Sequence, residues 1–239
     1  PVSEEEGARL EGEASVKKRL VITIDGPAGA GKSTISKLLA SRLSYVCLET
    51  GALYRAEAYR LKSAGWNGDP ERVGLSEGDL KIVLEREKGG TRVILDGRDI
   101  TEIIRSEEIG LMASTISAIP KIRETLLPLQ RKLAAEGGVV AEGRDMGSVV
   151  FPDADVKFYL DASVEERVNR RYLEMRSKGV GIHREDVEND MRIRDRQDSG
   201  RSISPLVVPA DAVVVDSSNQ SITEVVDFMM SVIERNFPD

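Results

Sequence analysis

The sequence predicts an α/β protein: a five-stranded parallel sheet flanked by helices, with a smaller antiparallel sheet set into one long connection. Three observations carry this. Short apolar runs alternate with helical patterns, a glycine-rich loop joins the first run to the first helix, and about ninety residues separate the second run from the third. A hydrophobic share of 40%, 31% charged residues and only four Phe, five Tyr and one Trp fit a soluble α/β chain and exclude collagen-like and disulfide-built classes.

Leu20-Val-Ile-Thr-Ile-Asp25 is an apolar run without clean alternation, as expected of a strand buried on both faces at the centre of a parallel sheet. A helix follows from about Lys32 to Leu43. Tyr45–Leu48, Val139–Ala141, Val156–Leu160 and Ala212–Val215 supply the remaining strands, and helical patterns over Ile119–Ala135, Val164–Lys178 and Ile222–Arg235 separate them. That βαβα order makes the sheet parallel. Pro120 opens the first of these three helices, and Ser163-Val-Glu-Glu166 forms a capping box before the second.

The long connection exceeds what one crossover needs, so a subdomain lies within it. Between Leu80 and Ile100, two strand-like runs around Lys88-Gly-Gly90 and a second turn at Asp96-Gly97 predict three antiparallel strands. Residues 1–18 carry Glu4, Glu5, Glu6, Glu11 and Glu13 without an apolar centre, and are expected to form a flexible acidic tail rather than a signal peptide. Residues 19–239 are read as one domain. No apolar run approaches the roughly 18 residues of a spanning helix, so no membrane segment is expected.

The lone cysteine, Cys47, sits inside an apolar run and reads as a buried structural thiol of a cytoplasmic protein. A formal charge of −7 argues against nucleic acid or an acidic membrane as partner. Any anionic ligand must then be met by a local cluster of cations.

Gly26-Pro-Ala-Gly-Ala-Gly31-Lys32-Ser33 matches GxxxxGK[ST] directly after a strand and at the opening of a helix. Such a loop turns successive N–H groups onto phosphates at the positive end of the helix. Gly26, Pro27, Ala28, Gly29, Ala30, Gly31, Lys32, Ser33 and Thr34 are therefore the candidate site for a nucleoside triphosphate. Lys32 is placed for the β- and γ-phosphates and the Ser33 hydroxyl for Mg2+. Glu142 ends an apolar strand where a second acid would hold Mg2+ through water. The glycines at 26, 29 and 31 are not spaced as GxGxxG, which disfavours a dinucleotide fold. Neither Asp-x-x-Gly nor Asn-Lys-x-Asp, which a switch GTPase would need, occurs in the chain, and this moves the weight away from that class. The remaining readings are a kinase of a small acceptor, with a nucleotide-binding regulator as the alternative. Asp25 either orients the loop lysine or caps Gly26-Pro27.

Nine of the chain's twenty-three arginines lie between Val164 and Arg201, beside one lysine and nine acids. Arg grips phosphate through a planar fork, although the same stretch could be a solvated helix laced with ion pairs. Val187, Met191, Arg194, Asp198 and Arg201 follow helical spacing, so an apolar stripe continues as charges that need partners or a ligand. Arg167, Arg170 and Arg171 are expected opposite the apolar Val164, Val168 and Met175 face. Arg55 and Arg144 each follow a strand end, where parallel sheets bind ligands. His183 is the only histidine and reads as a surface residue.

Four strings together resemble the bacterial cytidylate kinases: Thr50-Gly-Ala-Leu-Tyr54-Arg55, Glu142-Gly-Arg-Asp-Met-Gly147, Val149-Val-Phe-Pro-Asp-Ala154, and the Arg-rich segment from Arg192 to Arg201. The resemblance runs from about Leu20 onward. It implies a P-loop kinase core over residues 19–49, 136–161 and 202–239, an enlarged monophosphate-binding lobe over 50–135 and a short helical lid over 162–201. It implies transfer of the γ-phosphoryl group of Mg-ATP to CMP or dCMP, and the chain is expected to act as a monomer on these small molecules, without nucleic-acid or membrane partners. The resemblance assigns Arg194 and Asp198 to ribose or phosphates, Arg201 to the phosphate or base region, and Arg170 to the transferring group. It places Ser114, Arg123 and Asp145 at the base and Thr50, Tyr54, Arg55 and Arg144 around the acceptor nucleotide. Thr50 stands where relatives commonly carry Ser, and Glu142 where they commonly carry Asp.

Overall fold

The computed structural model describes residues 19–70, 73, 81–87 and 90–238. The acidic tail and the Lys88-Gly89 turn lie outside these residues. Five parallel strands form the main sheet: β1 (Val21–Asp25), β2 (Val46–Glu49), β6 (Val139–Gly143), β7 (Val156–Asp161) and β8 (Val213–Asp216), in the order β2-β6-β1-β7-β8. Each predicted run became a strand of this sheet. β1 is central, and Ile22 and Ile24 are fully buried.

Helices cover both faces. On one, α1 (Lys32–Leu43) and α7 (Ile222–Asn236) bring Ile35, Leu39, Val226 and Met229 against Val140 and Phe158. On the other, Val139 and Ala141 pack with Met146 and Val150. Adjacent residues of β6 thus enter opposite clusters, the arrangement that requires an unbroken apolar run.

The insert carries the expected antiparallel sheet: β3 (Ile82–Glu87), β4 (Gly90–Leu95) and β5 (Arg98–Asp99). The turn into β5 places Asp96 at φ 50° and Gly97 at φ 80°, the positive values a tight hairpin turn needs. Two helices here go beyond the sequence reading, α2 (Gly51–Ser63) and α3 (Glu107–Ile116). Ser106 caps α3 by accepting from the Ile109 N–H at 3.4 Å, with Glu107 and Glu108 in the first turn, where acids favour the helix dipole. With α4 (Pro120–Leu133), these helices enclose a separate cluster around Leu53, Leu61, Ile100, Ile116 and Ile122.

The Arg-rich segment folds as α5 (Val164–Ser177) and α6 (Arg184–Ser199). Val168, Val187 and Met191 form a small cluster with Ala28 of the glycine-rich loop. α6 ends before Gly200, so Arg201 lies past the helix and the charged stripe continues only to Asp198. His183 occupies the N-cap position of α6 and is exposed.

Candidate active site

All five parallel strands end at one edge of the sheet, and a cleft of about 1050 Å3 opens there. The glycine-rich loop forms its floor. Gly26 has φ 149°, and a Cβ there would lie 2.0 Å from the Leu160 carbonyl oxygen; close contact with β7 therefore demands glycine. Gly29, at φ 76°, is hemmed in likewise: a Cβ there would lie 2.9 Å from Met191 Cε of α6 and 3.0 Å from the Arg167 carbonyl oxygen. α1 starts on Gly31, which offers no side chain to its first turn. Its leading N–H groups are left for an anion at the positive end of the helix.

Lys32 is buried and donates to the Pro27 carbonyl at 2.7 Å. Burial, followed by the nearby Arg144 guanidinium, pushes its ammonium down to about 7. Ser33 Oγ donates to Glu142 Oε1 at 2.9 Å, so the two residues assigned to Mg2+ meet although 109 positions separate them in the sequence. Two hard oxygen donors suit Mg2+, which keeps several waters and takes its other ligands from phosphates. Among the described residues no group of three or more His, Cys, Asp or Glu gathers to hold a metal, so the pair fits a shared rather than an all-protein site. Thr50 lines the same cleft, and its Oγ1 donates to the Glu142 carbonyl at 2.9 Å.

Across the cleft, Asp198 is buried among cations. Arg144 Nε donates to its Oδ2 at 2.7 Å, Arg201 Nη2 donates to Oδ1, and Ser114 Oγ lies 3.5 Å from Oδ1. Burial alone would raise the Asp198 carboxyl, but Arg144 and Arg201 outweigh it and hold it below the usual carboxylate range. Arg194 Nε and Arg201 Nε are buried without a protein acceptor. Burial first, then Arg144, pushes the Arg194 guanidinium down to about 10. Arg55 donates to the carbonyls of Ile104 and Ser106 at 2.8 and 3.2 Å and lies against Gly110, where a Cβ would stand 2.8 Å from its Nη2.

Deeper in the lobe, Arg123 pairs with Asp145, donates to the Ser117 carbonyl at 3.2 Å and sits 5.7 Å over the Tyr54 ring. Ser114, Arg123, Asp145 and Tyr54 therefore form one wall. Arg170 lies on the donor side: it donates to the Ala30 carbonyl at 3.3 Å, to Ser217 Oγ at 3.0 Å and to the Ser217 carbonyl at 2.7 Å, and pairs with Glu166.

Three expectations are corrected. Arg167 is not on an outer face of α5. It is buried, donating to the carbonyls of Ala162 and Ala28 and pairing with Asp195 at 2.8 Å. Asp25 hydrogen-bonds neither the loop lysine nor Gly26-Pro27, although the Lys32 charge acts on it; its carboxylate accepts from the N–H groups of Met146 and Gly147. Cys47 is half-buried rather than buried. Sequence reasoning also missed Ser217 and Asp195, which meet Arg170 and Arg167 of α5 across 47 and 28 residues. Only their place after a strand end and within the Arg-rich segment pointed to them.

Donor groups at the start of α1 and an arginine-walled space facing them across one parallel sheet define a phosphate-loop kinase of small molecules. The family model described as Cytidylate kinase matches residues 22–235. Similar relatives are the cytidylate kinases of Geobacter sulfurreducens, 49% identical over 93% of this chain and 96% of that protein, and of Citrifermentans bemidjiense, 47% identical over 90% and 93%. The chain belongs to the cytidylate kinase family. Among solved structures it is similar to a shikimate kinase from Acinetobacter baumannii in complex with shikimate, at 16% identity, 93% and 97% coverage and a TM-score of 0.47, too distant a likeness to bear on function.

Proposed function

We propose that this cytidylate kinase moves the γ-phosphoryl group of Mg-ATP onto CMP or dCMP by direct in-line transfer, as a cytoplasmic monomer without nucleic-acid or membrane partners. The observation that carries this is a single cleft holding Lys32 and the Ser33–Glu142 pair on one side and the Arg144–Asp198–Arg201 cluster on the other. Residues 26–34 hold the triphosphate through the loop and the start of α1. Arg55, Arg144 and Arg194 meet the acceptor phosphate, and the vacant donor capacity of Arg194 suits an anion. Ser114, Arg123 and Asp145 read the base; Thr50, Asp198 and Arg201 border the ribose.

Ser33 and Glu142 would hold Mg2+, directly and through water; when bound, the ion neutralises charge on the β- and γ-phosphates. No general base is needed, because the acceptor phosphate is already an anion and catalysis rests on positioning and charge neutralisation. Arg170 reaches the transferring group from the donor side by leaving the Ala30 carbonyl. Lid and lobe exclude water, which would otherwise divert the phosphoryl group.

A coupled ADP-release assay with Mg-ATP over a panel of monophosphates tests this. CMP and dCMP should stimulate release far above UMP, AMP and GMP. Equal rates with AMP would point to a kinase of another acceptor, and one low rate with every monophosphate to a regulator or a bare ATPase.

A further inference from the structure

Asp25 is fully buried at the end of β1, and it forms no salt bridge among the described residues, although the Lys32 charge acts on it from farther off. Its two oxygens instead accept the Met146 N–H at 2.8 Å and the Gly147 N–H at 2.7 Å. In the sheet it pairs in register with Gly143 on one side and Tyr159 on the other. Its own carbonyl side runs directly into Gly26 and the glycine-rich loop. One residue therefore touches both halves of the cleft: its backbone begins the donor loop, and its side chain fixes the turn that follows Arg144 and Asp145.

We propose that Asp25 is a positioning residue, holding the Gly143–Gly147 turn so that Arg144 and Asp145 stand in register with the donor phosphates. This rests on the reading that those two residues meet the acceptor nucleotide.

The physical case begins with the turn itself. Gly143 is a closely packed position, where a Cβ would lie 2.9 Å from Thr50 Oγ1 and 2.8 Å from Met146 Cε. After it the chain enters a single π-type turn over Met146–Val150. The first N–H groups of such a turn have no partner within it. A buried carboxylate accepting two of them binds more strongly than a neutral acceptor, and it locks Asp145 at the unusual backbone angles φ −144°, ψ 25°. Burial outweighs the two N–H groups and leaves the Asp25 carboxyl raised to about 6, while the two N–H donors favour its anionic form. Below the turn, a Cβ on Gly147 would meet Thr23 Oγ1 at 2.9 Å, so the turn packs closely against β1 at this point. A shift of about 1 Å in a group positioned for in-line transfer lowers rate on the order of a hundredfold.

Asp25→Asn keeps the shape but sets an NH2 against one of the two N–H donors, and Asp25→Ala removes both acceptors. We expect kcat/KM for CMP to fall roughly tenfold in the first and roughly a hundredfold in the second, through both a higher KM for CMP and a lower kcat. Affinity for a non-hydrolysable ATP analogue should stay within about twofold of the parent, because the loop's own contacts do not involve the side chain. Arg144→Ala measured alongside separates the two readings. If it leaves CMP kinetics unchanged, the acceptor assignment fails; if it is impaired while Asp25→Asn is not, the positioning role fails. Equal loss of ATP-analogue and CMP binding in Asp25→Asn would make Asp25 a support of the donor loop and overturn the proposal. Should both variants fail to fold, hydrogen exchange on the parent decides: the amides of Met146 and Gly147 should be as protected without ligand as those of β1, and free exchange would overturn it.

Discussion

Lys32 illustrates how burial and charge set one residue's chemistry. Its folded value of about 7 lies below the ordinary 10.5, so between these values the unfolded chain binds the extra proton. Stability of the ligand-free protein should therefore rise with pH across that window and lose this contribution below it. A bound triphosphate favours the charged form again. Binding of an ATP analogue at pH 8 should take up about one proton per site, read by calorimetry in buffers of differing ionisation enthalpy. Lys32→Ala should abolish the uptake and lower kcat by roughly 10²–10³-fold in a folded protein; a variant retaining most activity would remove Lys32 from the transferring charge. Asp145 gives a second prediction at this scale. Its carboxylate accepts from the cytosine amino group but opposes the O4 oxygen of uracil. Asp145→Asn can turn its amide to either base, so CMP activity should fall roughly tenfold to a hundredfold while the CMP-to-UMP ratio of kcat/KM narrows. Asp145 is already paired with Arg123. If that pair is purely structural, both substrates will lose activity in proportion and the ratio will not move.

At the scale of elements, α5 and α6 rest on the glycine-rich loop through contacts of unequal worth. Arg167 is buried with two carbonyls and Asp195 as partners, whereas Arg171 spans the cleft mouth to Glu107 with both side chains partly in water. Arg167→Ala should destabilise the protein by about 2 kcal/mol, since hydrogen bonds to charged groups are lost from a buried site. Arg171→Ala should change it by less than about 1 kcal/mol, as expected of a solvent-screened pair. Urea unfolding at matched pH measures both, and similar values would contradict the difference in burial. The unpaired Arg194 Nε and Arg201 Nε leave the lid incompletely satisfied without an anion. A bisubstrate mimic joining adenosine and cytidine phosphates should raise hydrogen-exchange protection across residues 164–201; unchanged protection would argue against closure.

Over the whole molecule, a net charge of −7 surrounds a cleft that gathers Lys32, Arg55, Arg144, Arg194 and Arg201. The acceptor is thus attracted by a local field within a repulsive envelope. Added salt screens interactions through solvent more than contacts inside the closed site. Raising ionic strength should therefore increase KM for CMP more than it lowers kcat, and Arg194→Ala should flatten that dependence. A KM insensitive to salt would place recognition entirely in short-range contacts.

Local signals were sufficient for much of this. Apolar runs mark all five parallel strands because a strand covered on both faces admits few polar residues, and the glycine-rich loop is legible because its chemistry lies within eight consecutive positions. The opening and closing residues of α1 follow from the same segment. α2 and α3 escaped notice although their buried residues fall at helical spacing, because small or polar residues such as Ala56, Glu57, Ala58, Gly110 and Ser114 occupy much of each buried face and blur the apolar contrast. Pairings at long range were likewise hidden: Ser33 with Glu142, Arg144 with Asp198, and Arg123 with Asp145 join different elements. For Arg167 and Asp25, residue type and neighbours left more than one role open. Residue order determined which chemical groups exist and which stretches can form strands or helices; the tertiary structure alone decided which charges share a buried, low-dielectric space, because burial and partner distance depend on packing between segments far apart in the chain.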